Sequence, residues 1–313
     1  MTNPDFFYNP PRVAIVILTC NQRDLTMQCL DAVVSLSYPP NRLQVLVVDN
    51  GSDDGTEQAI RGAHPTVIVL QTGENLGYAG GNNFGIHHAL GGGADYILIL
   101  NNDALVAPDL LSELVTVAER APRAGFVGPK VYHQEEPNRI QTTGITLDHL
   151  FDSRHRGADE LDNGQFETIR EFDAVTGCAM LVSRGVVGQV GLLDPRFFIY
   201  HEEVDWCLRA KAAGYRNLYV PTALVWHRRP RPSSEITAFT AYYMTRNRYL
   251  LLSKHKAGLS AFALTLKRDL VWLLNWSLNP KWRHNRERRN ALLKAIVDAV
   301  LRRYGRRRYR YGR

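Results

Sequence analysis

No run of apolar residues in this 313-residue chain reaches the roughly 18 to 20 needed to cross a bilayer, so no membrane-spanning helix is expected. Cysteine is scarce. Cys20, Cys29, Cys178 and Cys207 form neither a CxxC pair nor a zinc-type spacing. A disulfide scaffold is thereby excluded, and a reducing compartment with the thiols as small core residues is the expectation. The stretch up to Pro11 is polar, with no apolar segment of the signal-peptide kind, which points to the cytoplasm. The segment after the first strand-like run, Thr19-Cys20-Asn21-Gln22-Arg23, contains no glycine, so the dinucleotide fingerprint is missing and NAD or FAD is not expected. Acids thin out toward the end: residues 281–313 carry thirteen Lys or Arg against Glu287 and Asp298. The segment nets +11 in a chain that totals +7, so the body is mildly acidic. A basic tail on an acidic body points to an anionic surface, nucleic acid or lipid headgroups.

The remainder is ordinary for a globular protein, 45% hydrophobic and 22% charged. Val13–Thr19 is a continuous β-branched run, the pattern of a strand buried on both faces of a parallel sheet. Further strands are predicted at Leu43–Val48, Val67–Leu70 and Tyr96–Leu100. Helices fall between them, over Leu25–Leu36, about Thr56–Arg61, and a segment ending near Leu90. This alternation predicts a right-handed, doubly wound α/β sheet. Past a helix from Asp109 to about Arg120, strand-like pieces at Gly125–Val131 and Ala179–Val182 predict a mixed sheet with long loops. From Ser234 the pattern is wholly helical. A boundary near residue 232 divides a catalytic body, 1–232, from a basic helical region, 233–313.

Ligands of open parallel sheets bind beyond the carboxyl ends of the strands. The second strand ends in Asp49-Asn50-Gly51-Ser52-Asp53-Asp54-Gly55. Asp53 or Asp54 reads as a turn or helix cap, whereas Asp49, directly after four apolar residues, is placed to accept hydrogen bonds from a base or ribose. The fourth strand ends in Asn101-Asn102-Asp103, oxygen ligands of the kind that hold a hard divalent ion bridging phosphates. Between them lies Glu74-Asn75-Leu76-Gly77-Tyr78-Ala79-Gly80-Gly81-Asn82-Asn83, whose glycines allow close backbone approach to a ligand and whose asparagines offer amide donors. Acids follow four large apolar residues in Phe197-Phe198-Ile199-Tyr200-His201-Glu202-Glu203-Val204-Asp205. They read as a helix N-terminus, a cavity mouth with a tuned carboxylate, or both. His227 ends the apolar run Leu218–Trp226.

In this order VVDNGSDDGT, GENLGYAGGNN, LILNND, TGCAMLVSR, FFIYHEEVDWCLRAKAAGYR and VWH resemble a family 2 glycosyltransferase of GT-A fold, most of all the bacterial rhamnosyltransferases of cell-wall and surface-polysaccharide assembly. The resemblance spans about residues 12–230, and the continuation TAYYMTRNRYLLLSKH also recurs in such enzymes. It implies inverting transfer from a nucleotide-diphosphate sugar, with dTDP-rhamnose a candidate, to a glycan or polyprenyl-linked hydroxyl. Thr19, Asn21, Asp49 and Asp53 would surround the nucleobase. Asn75, Gly77 and Asn82 would line the ribose and sugar, with Asn102 nearby. Asp103 and His227 would hold Mg²⁺ or Mn²⁺. Asn101 stands where the family has its first acid, which lowers the expected metal affinity. Glu203 takes the place of the family's catalytic aspartate, with Glu202 beside it.

The basic tail and the helical stretches before it point to a peripheral protein on the inner face of an anionic membrane, with a homodimer left open. Leu259–Leu278 is an apolar helical stretch interrupted by Lys267-Arg268-Asp269, which makes crossing a bilayer costly, and Ala291–Leu301 is one flanked by arginines; both either lie in a membrane interface or pack on the body. Three other readings compete. A sugar-nucleotide pyrophosphorylase would want a basic phosphate loop where Asn21-Gln22-Arg23 stands. An inactive relative would act as an assembly partner. An RNA-binding protein would use Arg302–Arg313, but it leaves the acidic strand ends unexplained, and no nucleic-acid partner is expected.

Overall fold

The computed structural model describes residues 9–228, 237–279 and 285–307. Strand β1 (Val13–Thr19) is buried almost throughout, as its unbroken apolar run requires. It pairs in parallel with β2 (Leu43–Asp49) on one side and β4 (Tyr96–Asn101) on the other, and β3 (Ile68–Gln71) extends the sheet beyond β2. Helices α1 (Arg23–Val33), α2 (Thr56–Ala63) and α3 (Gly77–Gly91) make the crossovers. Alternate residues of β1 feed opposite cores. Val13, Ile15 and Ile17 join Leu30, Leu110 and Leu114, whereas Ala14 and Val16 join Ile86, Phe126 and Trp206.

The second half turns the sheet mixed. After β5 (Ala104–Val106) and α4 (Leu110–Arg120) come β6 (Ala124–His133), β7 (Ile140–Thr142), β8 (Ile145–Leu147), β9 (Ser153–His155), β10 (Arg170–Phe172) and β11 (Ala179–Ser183). Then follow α5 (Arg184–Val190), α6 (Glu202–Ala212) and β12 (Arg216–His227). The sheet runs β10-β12-β6-β11-β4-β1-β2-β3, with β5 on β12 and β7 on β6; β8 and β9 form a separate pair. Because β11 is antiparallel to both β4 and β6, the expected mixed α/β architecture is the one found.

One expectation about glycines is corrected. Helix α3 begins at Gly77, so the Gly/Asn-rich segment is largely the helix itself rather than a loop leading into it. A Cβ on Gly81 would lie 2.3 Å from Leu18 Cδ1, and one on Gly85 would lie 2.4 Å from Val16 Cγ1. These two glycines, four apart on one helix face, let α3 rest directly on β1 and do not approach a ligand.

Helices α7 (Ala238–Lys254), α8 (Leu259–Leu278) and α9 (Arg286–Val300) follow. The boundary expected near residue 232 lies outside the described residues, as do residues 308–313 of the arginine-rich tail. Leu250 and Leu251 of α7 enter the same apolar cluster as Trp206 and Cys207, so this helix is continuous with the body's core. Helix α8 is built the other way round. Its buried residues are Ala261, Thr265 and Asp269, while Leu259 and Leu278 are 89% and 77% exposed and Leu270, Val271, Trp272 and Leu274 also face outward. Tyr249 donates to Asp269 Oδ2 at 2.8 Å, and Arg268 pairs with Asp152. Polar groups thus hold α8 inward and its apolar side faces out. Among the described residues no helix is long and apolar enough to cross a membrane.

Gly85→Val would drive two methyls into Val16 and Val48. We expect a loss of about 1–3 kcal/mol in stability, read as a lower urea midpoint at unchanged m-value.

Candidate active site

The parallel register places three strand ends in one row. Thr19 lies opposite Asp49, and Leu18 opposite Asn101. The sheet order reverses at β1, between β4 and β2, which is where doubly wound sheets open a crevice. Asp49 is buried, with Oδ1 accepting from the Ser52 backbone N–H at 2.8 Å and Oδ2 from Gln71 at 3.0 Å. Asn21, at a φ of 54°, accepts from the Asp53 N–H at 2.8 Å and donates its own N–H to Ser52. The loops after β1 and β2 are therefore laced together. Asp54 takes the turn-capping part, bonding the backbone of Thr56 and of Arg23, and Asp53 stays exposed.

Asn75 Oδ1 accepts from the Gly77 N–H at 2.8 Å and from the Asn50 amide at 3.2 Å. Gly77 has a φ of 76°, and a Cβ there would lie 2.3 Å from the Phe198 ring, so no other residue fits. Asn82 is buried and donates to the Tyr78 carbonyl at 3.0 Å. Asn102 is also buried, its amide nitrogen within hydrogen-bond distance of Thr19, Gln22 and Thr26. Asn102 thereby ties the end of β4 to β1 and α1, whereas Asn82 bonds only its own helix and leaves Oδ1 without a partner among the described residues.

Strand β5 is antiparallel to β12 in a register that sets Ala104 opposite His227. The preceding residue, Asp103, thereby meets the histidine, with Oδ1 3.0 Å from Nε2. The Asn101 amide nitrogen is 3.2 Å from the same Nε2, and Nδ1 is 2.8 Å from Gln141 Oε1. Burial opposes a charged imidazole, but neighbouring Cys178 and the Asp103 carboxylate outweigh it and hold His227 well above the usual histidine range. A proton on each nitrogen serves both acceptors. Gln141 fixes the ring from behind, so that Nε2 can exchange its proton for a metal beside Asp103. Among the described residues no group of three or more His, Cys, Asp or Glu forms a metal cage. One carboxylate and one imidazole fit a hard divalent ion only as an open site completed by ligand phosphates and water.

Next to Cys178, Gly177 accepts from the Tyr78 hydroxyl at 2.6 Å, and a Cβ on Gly177 would lie 3.5 Å from Glu203 Cβ. Consecutive residues of the β11 approach thus touch Glu203 on one side and His227 on the other. Glu202 and Glu203 open α6, where the helix N-terminus favours negative charge. Glu202 is 4% exposed. The Oε2 atoms of both carboxyls are shut from solvent with no hydrogen-bond partner among the described residues. Burial, then the charge of Glu203, pushes Glu202 far above the usual carboxylate range, and burial raises Glu203 as well. Each carboxyl gives up its proton only as the pH climbs above the usual Glu range, and only then can it act as a base.

Sequence reasoning missed what holds this pair. Phe198, Tyr200 and His201 have φ of 67°, 71° and 72°, left-handed conformations that non-glycine residues adopt at a cost. The amide nitrogen of Asn247 lies 2.9, 2.7 and 2.9 Å from the carbonyls of Phe197, Ile199 and Tyr200. Arg246, 1% exposed, donates to the carbonyls of Phe197 and Arg196 and to that of Gly305 in the tail. The only signal was the Arg-Asn pair inside TAYYMTRNRYLLLSKH. Tyr78, buried against both glutamates, and Gln141 carried no signal at all.

A crevice at a topological switch point, lined by strand-end acids and a carboxylate pair, defines a nucleotide-sugar enzyme of α/β class. The model of the glycosyltransferase like family 2 matches residues 10–249, and the chain belongs to that family. It is 31% identical over 265 residues to the N-acetylglucosaminyl-diphospho-decaprenol L-rhamnosyltransferase of Mycobacterium tuberculosis, covering 79% of this chain and 84% of that protein. It is 24% identical over 252 residues to a dTDP-rhamnosyl transferase of Shigella flexneri, covering 78% and 81% respectively. Among solved structures, the mannosyltransferase of Pyrobaculum calidifontis in complex with GDP-Man and Mn²⁺ superposes with a TM-score of 0.60 at 17% identity, over 94% of this chain and 88% of that one. The fold is GT-A, and the protein is a glycosyltransferase.

Asn247→Ala should strip the amide donor from the Ile199 and Tyr200 carbonyls, leave Phe197 to Arg246 alone among side chains, and let the strap before Glu202 relax. We expect kcat to fall about 10- to 100-fold while the donor KM moves little, measured by steady-state kinetics.

Proposed function

We propose that this glycosyltransferase performs inverting transfer of a hexose, with rhamnose from dTDP-rhamnose as the leading donor, onto a hydroxyl of a lipid-linked glycan. The observation that carries the reaction type is the Glu202–Glu203 pair at the start of α6, one oxygen of each shut from solvent and without a partner among the described residues, with its raised proton affinity. The rhamnosyl donor and lipid-linked acceptor are supported by the names of the relatives in Mycobacterium tuberculosis and Shigella flexneri.

In this reading Asp49, Asn21 and Thr19 face the nucleobase side of the crevice, with Asp53 at its rim. Asn75 and Gly77 shape the wall along the ribose and sugar, and Asn82 and Asn102 stiffen that wall from inside. Glu203 takes the proton of the attacking hydroxyl as the anomeric carbon exchanges the diphosphate for the acceptor oxygen. Burial raises its proton affinity. A general base contributes on the order of 10²–10⁴ in rate. No covalent sugar–enzyme intermediate is required. Asp103 and His227 would hold Mg²⁺ or Mn²⁺, whose positive charge would offset the charge growing on the leaving diphosphate. Asn101, an amide where a second carboxylate would strengthen the clamp, leaves metal affinity dependent on the nucleotide.

The outward apolar side of α8, with exposed arginines on α9 and after it, supports docking on an anionic membrane surface. Apolar burial in the interface adds to roughly 1 kcal/mol per basic residue near such a leaflet. A lipid-linked acceptor would be met there.

Glu203→Gln keeps shape but cannot accept a proton. Donor binding should persist while kcat drops about 10²–10⁴-fold, and Glu202→Gln should be milder. In the unaltered enzyme kcat/KM should fall with acid at a higher pH than an ordinary glutamate would give, because a raised carboxyl gains its proton earlier. Near-normal turnover of Glu203→Gln would move the role of base to another carboxylate. Asp103→Ala should abolish metal-dependent nucleotide-diphosphate binding in calorimetry without loss of fold. Metal affinity of the unaltered protein should rise with pH as His227 gives up its proton. Wild-type metal and nucleotide affinity in Asp103→Ala would dismiss that assignment.

A further inference from the structure

Helices α7, α8 and α9 enclose a cavity of about 370 Å³ that the donor crevice does not use. Its walls include Tyr249, Phe262, Leu266, Ile296 and Val300, and Arg302 and Tyr304 line it as well. The volume is in the range that takes small organic ligands. Leu266 and Val300 belong also to the exposed apolar side of these helices, so the chamber is continuous with the surface proposed to meet a membrane.

The chain leaving this cavity leads straight to the sugar-transfer site. Tyr304 lines the cavity, and two residues on, Arg306 Nη1 lies 3.0 Å from Glu74 Oε2 in the loop that carries Asn75 and Gly77. Two extended residues span about 7 Å, and the Arg306 and Glu74 side chains that meet add roughly twice that at most, so one ridge separates the two. That ridge is fixed. The Gly305 N–H donates to the Arg196 carbonyl at 2.7 Å, its own carbonyl accepts from Arg246 at 2.7 Å, and the Arg307 N–H donates to the Tyr243 hydroxyl at 2.9 Å. Arg302, Arg303 and Arg306 are exposed along it. The side chains of the Arg306–Glu74 pair are 49% and 69% exposed, and pairs of that kind contribute little. A phosphate could therefore replace Glu74 at small cost.

An apolar chamber, a cationic ridge and a transfer crevice, in that order, match one kind of molecule: a hydrocarbon chain joined through a diphosphate to a sugar. We propose that the cavity between α7, α8 and α9 binds the first hydrocarbon units of a lipid-diphosphate acceptor, with Arg302, Arg303 and Arg306 against its phosphates. This rests on the reading of a lipid-linked acceptor above. It goes beyond that reading by naming where the lipid sits.

The test uses the full-length protein and a series of probes: inorganic diphosphate, geranyl diphosphate and farnesyl diphosphate, titrated by calorimetry. Affinity should climb along the series, by about tenfold or more from the first to the last. Ala263→Trp, a substitution at an exposed position that fills the chamber, should remove that gain while nucleotide-sugar binding stays unchanged. Arg302→Gln with Arg303→Gln should weaken all three diphosphates. Vesicles of phosphatidylglycerol should bind the Ala263→Trp protein as well as the unaltered one. Equal affinity for inorganic and farnesyl diphosphate, measured on the unaltered protein, overturns the proposal. So does an Ala263→Trp variant that loses vesicles but keeps farnesyl diphosphate, since the chamber would then hold bulk lipid. Failure of the lipid-linked-acceptor reading looks different: farnesyl diphosphate would still bind more tightly than inorganic diphosphate, while the unaltered protein would pass no sugar to a glycan on a prenyl diphosphate.

Discussion

A buried glutamate with a half-buried one next to it, at the first turn of α6, sets the terms for the rest of this structure. Placing neighbouring acids in a dry site is costly, because each loses hydration and repels the other. The helix N-terminus recovers part of that cost, and a proton held more tightly than usual recovers more. What remains must be met by rigidity. The chain before Glu202 runs through three left-handed residues, and it keeps that shape because Asn247 and Arg246 gather its carbonyls from a helix more than forty positions later. The C-terminal helices are therefore part of the active-site scaffold as well as a surface. Arg246 also binds Gly305, so the tail is tied to the same strap.

The same helices show a division of labour that an average hydropathy would hide. Helix α7 is anchored like a core helix, whereas α8 turns Asp269 and Arg268 toward the body and its leucines and tryptophans outward. Read along the sequence, the Lys267-Arg268-Asp269 interruption looks like a barrier to membrane insertion. In the fold it is the hinge-pin that fastens the helix down. Charge and apolarity have exchanged their usual sides.

Much of the sheet was legible beforehand, for a plain reason: strands buried on both faces must be continuous apolar runs. β1 is found at the very residues the pattern marks, and β2 and β4 differ by one residue at their ends. The polar clusters that follow these runs stand in one row because parallel strands share a register. Local pattern fails where a residue's partner is distant. Gly81 and Gly85 look like ligand-approach glycines until the helix they belong to is delimited, and only then does their spacing of four point at β1. Gln141 behind His227, and Asn247 behind the glutamates, sit in segments whose periodicity says nothing of their targets. Asn102 has the residue type of a binding site, yet its amide nitrogen is within reach of Thr19, Gln22 and Thr26, partners no linear motif specifies.

Strand β12 carries a further implication. His227 meets Asp103 only because β12 pairs with β5 in one alignment, and a strand's side chains alternate from face to face. Inserting or deleting a single residue between Leu224 and His227 would bring Trp226 or Arg228 to that spot and turn the imidazole away. The pairing with β6 is already irregular between Val220 and Leu224, so the strand has a place upstream where a length change can be absorbed. Among natural variants of this chain, length differences in the strand should collect at 221–223, while the last four residues behave as a ruler of fixed count.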